Sequence, residues 1–138
     1  MIAFHYADVT FRIKEATKHK TWLEGIPNQY SKTIQQIDII FCSDEYLLQM
    51  NNDHLQHDYY TDIITFDLAD KGSQELVGEL YISTDRVRDN AKQLNTPIAS
   101  ELRRVMAHGL LHLCGLADKT EAQIAQMRKA EEAALVRF

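Results

Sequence analysis

Residues 108–118 read His-Gly-Leu-Leu-His-Leu-Cys-Gly-Leu-Ala-Asp. Four helical residues advance about 400° and rise ~6 Å, so His108 and His112 project from one face and can reach one ion. Imidazole nitrogen suits zinc at ~2.0–2.1 Å. A bare pair at this spacing is weak, because two histidines satisfied by hydrogen bonds at a helix contact look the same. Gly115 and Asp118 shift the balance. Glycine tolerates the left-handed backbone that reverses a chain after a helix. Asp118 then arrives three residues later, able to fold back towards the same face. Two nitrogens and one carboxylate leave a fourth position for water, as in catalytic rather than structural zinc sites. Cys114 falls about 200° around the helix from His112 and reads as a small buried apolar group.

Zinc peptidases with this spacing carry a glutamate after the first histidine as general base. Position 109 is glycine, so this helix supplies ligands without that base. What remains is hydrolysis by metal-activated water. Phosphodiester, amide and ester substrates all stay open on this spacing alone.

The surrounding elements must position these groups. Residues 2–6 read as a short strand from their alternation of apolar and polar side chains, and 33–42 as a strand from their β-branched and apolar content. A helix is expected from Arg12 to about Leu23, stopped by Gly25 and Pro27. Ser43-Asp44 can cap a second helix through Leu47, Leu48 and Met50. Residues 61–68 and 75–84 read as two strands joined across the turn-forming residues 69–74. Thr84-Asp85 opens a helix through Leu94. Residues 98–114 form a long apolar-faced helix ending at Gly115. Thr120 to Gln123 has the form of a capping box and starts a C-terminal helix. The order β-α-β-α-β-β-α-α-α predicts an α+β fold, with a small mixed four-stranded sheet packed with about five helices.

The bulk numbers agree with one domain spanning residues 1–138 and one core. The chain is 45% hydrophobic and 25% charged, with five glycines and two prolines, which argues against disorder. A formal net charge of −5 excludes a chain coated in basic residues for nucleic acid. Affinity for a polyanion would need a local basic face or a bound metal. Neither a signal peptide nor a bilayer-spanning run is read in the sequence, so a cytoplasmic protein with no membrane partner is expected. Cys42 and Cys114 read as buried free thiols. His5, His19, His54 and His57 read as ordinary residues by spacing alone.

Three ordered motifs give the chain a resemblance to the YbeY family of bacterial endoribonucleases and rRNA maturation factors. The family signature is HGxLHLxGYDH, which residues 108–115 match position for position. A second block, N-x-x-Y-R-G-K-D-x-x-T-D-V-L-S-F, is similar to Asn51, Asp58 and Thr61-Asp62-Ile63-Ile64-Thr65-Phe66. A third, G-D-I-x-I-S, resembles Gly78-Glu79-Leu80-Tyr81-Ile82-Ser83. The resemblance covers most of residues 38–118. It implies a small sheet with about five helices and one zinc per chain held by the signature. It also implies action on single-stranded RNA, processing of the 3′ end of the 16S rRNA precursor with the small ribosomal subunit, and ribosome quality control.

Two departures stand out. The third histidine of the signature aligns with Asp118, a competent zinc ligand that lowers the site charge by one unit and makes a bound water a weaker acid. The expected metal set is therefore His108, His112 and Asp118. The arginine of the second block aligns with Leu55, its tyrosine with His54 and its lysine with His57. Phosphoryl transfer usually needs a cation besides the metal. His57 when protonated, Arg86 or Arg88 are candidates, with a plain loop residue as the alternative for His57. Asp62 is a candidate partner for a ligand histidine, or it orients its strand with Thr61. Ser83 is a candidate phosphate contact and equally a helix cap. Arg103 and Arg104 either line an RNA-facing cleft or lie on the solvated surface. Two other readings remain: a metallohydrolase of another class, such as a peptidase, and a non-enzymatic ribosome-assembly factor with structural zinc.

Overall fold

The computed structural model describes residues 1–55 and 60–138. The expected α+β class and element order are both found. Strand β1 (Ile2–Tyr6) leads to helix α1 (Ala16–Gly25) and a short 3₁₀ turn (Ile26–Tyr30). Strand β2 (Thr33–Cys42), helix α2 (Asp44–Leu55) and strands β3 (Ile63–Asp67) and β4 (Glu75–Ser83) follow. Helices α3 (Thr84–Leu94), α4 (Ile98–Leu113) and α5 (Glu121–Val136) complete the chain.

The sheet order is β1-β2-β4-β3, which leaves β3 at an edge. β2 runs parallel to β1 and β4, while β3 returns antiparallel to β4. Alternation along the strands then divides the side chains between two faces. Ile37, Ile39, Phe41, Leu80 and Ile82 are buried in the main core with Leu102, Val105, Met106, Leu110 and Leu111 of α4. Cys42, Leu47 and Ile64 form a smaller core, with Phe66 and Tyr81 packed against it. Fully burying one such aliphatic side chain contributes roughly 1.5–3 kcal/mol, so α4 is anchored along its length before any polar group acts. Helix α1 starts at Ala16 rather than Arg12, because Glu15 takes a left-handed φ of 52°. Phe11 and Ile13 instead pack against the main core from the non-helical segment that precedes it.

Two glycines set how closely the layers approach. A Cβ at Gly109 would meet the Ile63 Cδ1 methyl at 2.5 Å and Leu80 at 3.1 Å. The residue after the first histidine therefore faces the sheet, with no room for a glutamate. A Cβ at Gly78 would meet the Phe66 backbone oxygen at 2.6 Å. Gly78→Ala is expected to destabilise the fold by about 1–3 kcal/mol, because backbone must yield. Gly109→Ala is expected to cost less, since a methyl group can shift and helix propensity improves by about 1 kcal/mol. Urea unfolding of the two variants checks the order, and equal midpoints would contradict it.

Candidate metal centre

Helix α4 ends where Gly115 adopts a φ of 107°. The reversal is held by Gly115 N–H on His112 O at 2.9 Å and Leu116 N–H on Leu111 O at 3.1 Å. The turn that follows is fixed from the far side by α5. Thr120 and Gln123 form the expected capping box, and Lys119 N–H also donates to Gln123 Oε1 at 3.0 Å. Trp22 Nε1 donates to Ala134 O at 2.8 Å, tying the other end of α5 to α1. Asp118 thus sits on a turn clamped between two helices.

His108, His112 and Asp118 each present one donor atom, and the three atoms lie within 4.8 Å of one another. Both Nε2 atoms are 3.3 Å from Asp118 Oδ2. The opposite ring nitrogens settle the tautomers. His108 Nδ1 lies 2.6 Å from Glu131 Oε2, and His112 Nδ1 lies 2.9 Å from Leu116 O. An ionised carboxylate and a carbonyl oxygen only accept, so each Nδ1 must donate. In the neutral ring each Nε2 is then an acceptor. Three acceptors facing one point repel unless a cation or protons lie between them. Two imidazole nitrogens and a carboxylate oxygen, with Nδ1–H bonds orienting the rings, form a donor set that fits a borderline divalent ion such as zinc.

Glu131 was not singled out in the sequence. Its side chain is 3% exposed and also meets Arg104 Nη1 at 3.3 Å and Arg128 Nη1 at 3.2 Å. Arg104 forks onto Glu101 at 2.9 and 2.6 Å and stands 3.5 Å from Asp62. It belongs neither to the solvated surface nor to the cleft lining, but to a buried ladder of charge behind the histidines. The bonds to Glu101 raise its already high pKa further, outweighing the opposing effect of burial. Burial pulls Glu131 upward, yet the His108 hydrogen bond and the charges of Arg104, His108 and Arg128 bring it below the ordinary glutamate range. Asp62 is raised by burial, with Arg104 and His108 opposing. It reaches the ligand helix through Arg104 and accepts from Asn90 Nδ2 at 3.3 Å. The carboxylate that backs a ligand ring, on the Nδ1 side of His108, is that of Glu131.

In front of the triad lies a cleft of about 710 Å³, lined on one side by residues of β3 and on the other by His108, His112, Asp118 and Lys119. Asp62 lines it; Ser83 and Arg86 do not. Ser83 is fully buried, caps α3 by accepting from Arg86 N–H, and donates to Asp44 Oδ1 at 2.7 Å. Arg86 holds Asp44 through Nε at 3.0 Å and Asp89 through Nη1 at 3.2 Å. Arg88 lies 3.7 Å from Asp85, and Arg103 stacks on Phe138 at 4.2 Å. His57 lies outside the described residues. Among the described residues lining the cleft, Lys119 carries the one lysine or arginine charge. Cys42 and Cys114 are both buried and unbridged, and burial pushes their thiols up to about 12 and about 11.

The lowered Glu131 value makes a pH prediction. Its stabilising effect is complete above the ordinary glutamate range and is lost as pH falls through its own lowered value. Glu131→Gln is therefore expected to destabilise the chain at neutral pH, with the deficit shrinking towards acid. Urea unfolding between about pH 3 and pH 7 measures this; a deficit that stays constant with pH would contradict it.

The sequence matches the endoribonuclease YbeY family over residues 4–138. It is 48% identical over 135 residues to the endoribonuclease YbeY of Cytophaga hutchinsonii, covering 97% of this chain and 93% of that one. It is 50% identical over 115 residues to the Porphyromonas gingivalis protein of the same name, covering 83% and 75%. The fold is similar to a solution structure from Thermotoga maritima, with a TM-score of 0.68 at 23% identity over 99% of this chain and 88% of that one. The match to the family model over residues 4–138, with 48% identity to a relative across 97% of the chain, places the chain in the YbeY endoribonuclease family.

Proposed function

We propose that this protein is a zinc-dependent endoribonuclease specific for single strands. In this reading it matures the 3′ end of the 16S rRNA precursor on the small ribosomal subunit, in the cytoplasm, and serves ribosome quality control. One observation carries it: three acceptor atoms, two of them aimed by Nδ1–H bonds to fixed oxygens, converge beside an open cleft. Family membership supports RNA as the substrate. Gly109 is packed against Ile63 and Leu80, so a side chain there would start against the sheet, which weighs against a peptidase with its general base at that position.

His108, His112 and Asp118 would hold one ion, while Glu131 and the Leu116 carbonyl keep the two rings turned. A bound ion would supply Lewis-acid chemistry there, lowering the pKa of a water at the open position and offsetting negative charge. The cleft needs that offset, because Asp62, Asp67 and Asp118 outnumber Lys119 among its charges. Lys119, exposed and next to Asp118, stands where a cation can meet the phosphate backbone. His57 remains a candidate for a share in that task. Among the described residues no helix is long and apolar enough to cross a membrane.

Cleavage of single-stranded RNA is expected to vanish with chelator and return with zinc, and His108→Ala and Asp118→Ala are expected to remove it. A folded His108→Ala protein that cleaves RNA normally would end the proposal. Normal rRNA 3′ ends in cells carrying that variant would favour the assembly-factor reading instead. Lys119→Ala is expected to weaken RNA binding and to lower the slope of log affinity against log salt by about 0.7, one single-strand phosphate contact. A titration of binding against salt checks this, and an unchanged slope would take Lys119 away from the backbone.

A further inference from the structure

Among the described residues strand β3 pairs with β4 alone, and residues of β3 line the cleft. Two hydrogen bonds, one at each end of the ladder, fix its phase. Ser83 N–H donates to Asp62 O at 3.0 Å, and Leu68 N–H donates to Val77 O at 2.8 Å. Antiparallel pairs alternate between bonded and non-bonded, and the register runs without a break from Ile63↔Ile82 to Asp67↔Gly78. Even-numbered residues of β3 therefore direct their N–H and C=O at β4, and odd-numbered ones direct theirs outward. Ile63 O takes the Thr61 hydroxyl at 3.4 Å. Thr65, half-buried at the middle of the strand, offers both its N–H and its C=O at the open edge, with no partner among the described residues. Natural sheets usually cover or blunt such an edge. Here no described residue covers it, and it lies in the cleft that also holds His108, His112 and Asp118.

We infer that the Thr65 main chain holds one nucleobase of the substrate strand, donating through N–H and accepting through C=O. The inference rests on the RNA reading above and adds how the strand is recognised. A phosphate only accepts, so it suits the N–H and is repelled by the carbonyl beside it. A base offers an acceptor and a donor side by side on its Watson–Crick edge, and unpaired bases are commonly read there. All four bases carry such a pair, so the contact is blind to sequence. In a duplex that edge is already occupied, so the contact excludes paired strands. The same main-chain edge would also suit an extended peptide, but no general base fits at position 109.

The test is residue-resolved amide exchange by NMR on the zinc-loaded protein, with a 2′-O-methyl oligouridine as the non-cleavable probe. The Thr65 amide is expected to gain protection, while those of Ile64 and Phe66, already in the ladder, change little. A matched oligomer of N3-methyluridine, whose Watson–Crick edge is blocked, is expected to bind roughly fivefold or more weakly, the loss of one or two hydrogen bonds. Thr65→Pro removes the outward N–H without breaking a ladder bond and is expected to raise KM for RNA by a similar factor while kcat holds. If oligouridine binds and the Thr65 amide stays unprotected, or if both oligomers bind equally, this inference falls and the RNA reading stands. If neither oligomer binds, both fall. Protection of Thr65 by an extended peptide and not by RNA also overturns the inference. Should Thr65→Pro fail to fold, the exchange and methyl-block measurements still decide.

Discussion

A 2.6 Å hydrogen bond from His108 Nδ1 to Glu131 holds the site together. It crosses from α4 to α5, and behind it Arg104 connects Glu131 to Glu101 and Asp62. Buried charges are costly unless paired, and in this ladder each acid faces a cation or an imidazole. Asp62 precedes β3, Glu101, Arg104 and His108 lie on α4, and Glu131 lies on α5. One polar ladder therefore aligns the edge strand, the ligand helix and the helix that clamps the third ligand. The apolar core brings these elements together, and the ladder fixes which way the histidines face.

That alignment makes electrostatics and shape act jointly. An acidic cleft in a chain of net charge −5 is a poor place for a polyanion. A dication held at the convergent acceptors would change the local field, and under the proposed function it would ease the approach of the substrate. Gly109 lets α4 settle on Ile63 and Leu80, which brings the ligand face close to the edge of β3. The histidines, Lys119 and residues of β3 then line one space, bringing ring nitrogens, a lysine charge and a strand edge together.

Local features were legible in the sequence. The His108–His112 spacing, the Gly115 reversal and the Thr120 capping box depend on neighbours within a few residues, and the structure shows each. The bounds of β1 match those read from its alternation, and the bounds of β2 those read from its β-branched and apolar content. Glu131 was not legible, because it lies 23 residues beyond His108 and only helix packing aims it there. Arg86 and Ser83 looked available for substrate because sequence does not reveal that Asp44, on another helix, already engages both. Arg104 was read as cleft or surface for the same reason. Helix α1 begins later than the expected Arg12 because Ile13 packs on the core from a non-helical segment, and Glu15 takes the left-handed region before the helix begins.

The central claim is that Nδ1–H bonds to Glu131 and Leu116 leave both Nε2 atoms as ligands. Long-range ¹H–¹⁵N NMR of the histidine rings in the cadmium-113-loaded protein tests it directly. The expected result is cadmium coupling to Nε2 of both His108 and His112, with each Nδ1 carrying its proton. Coupling through either Nδ1, or a protonated Nε2 on either ring with the ion bound, would contradict it.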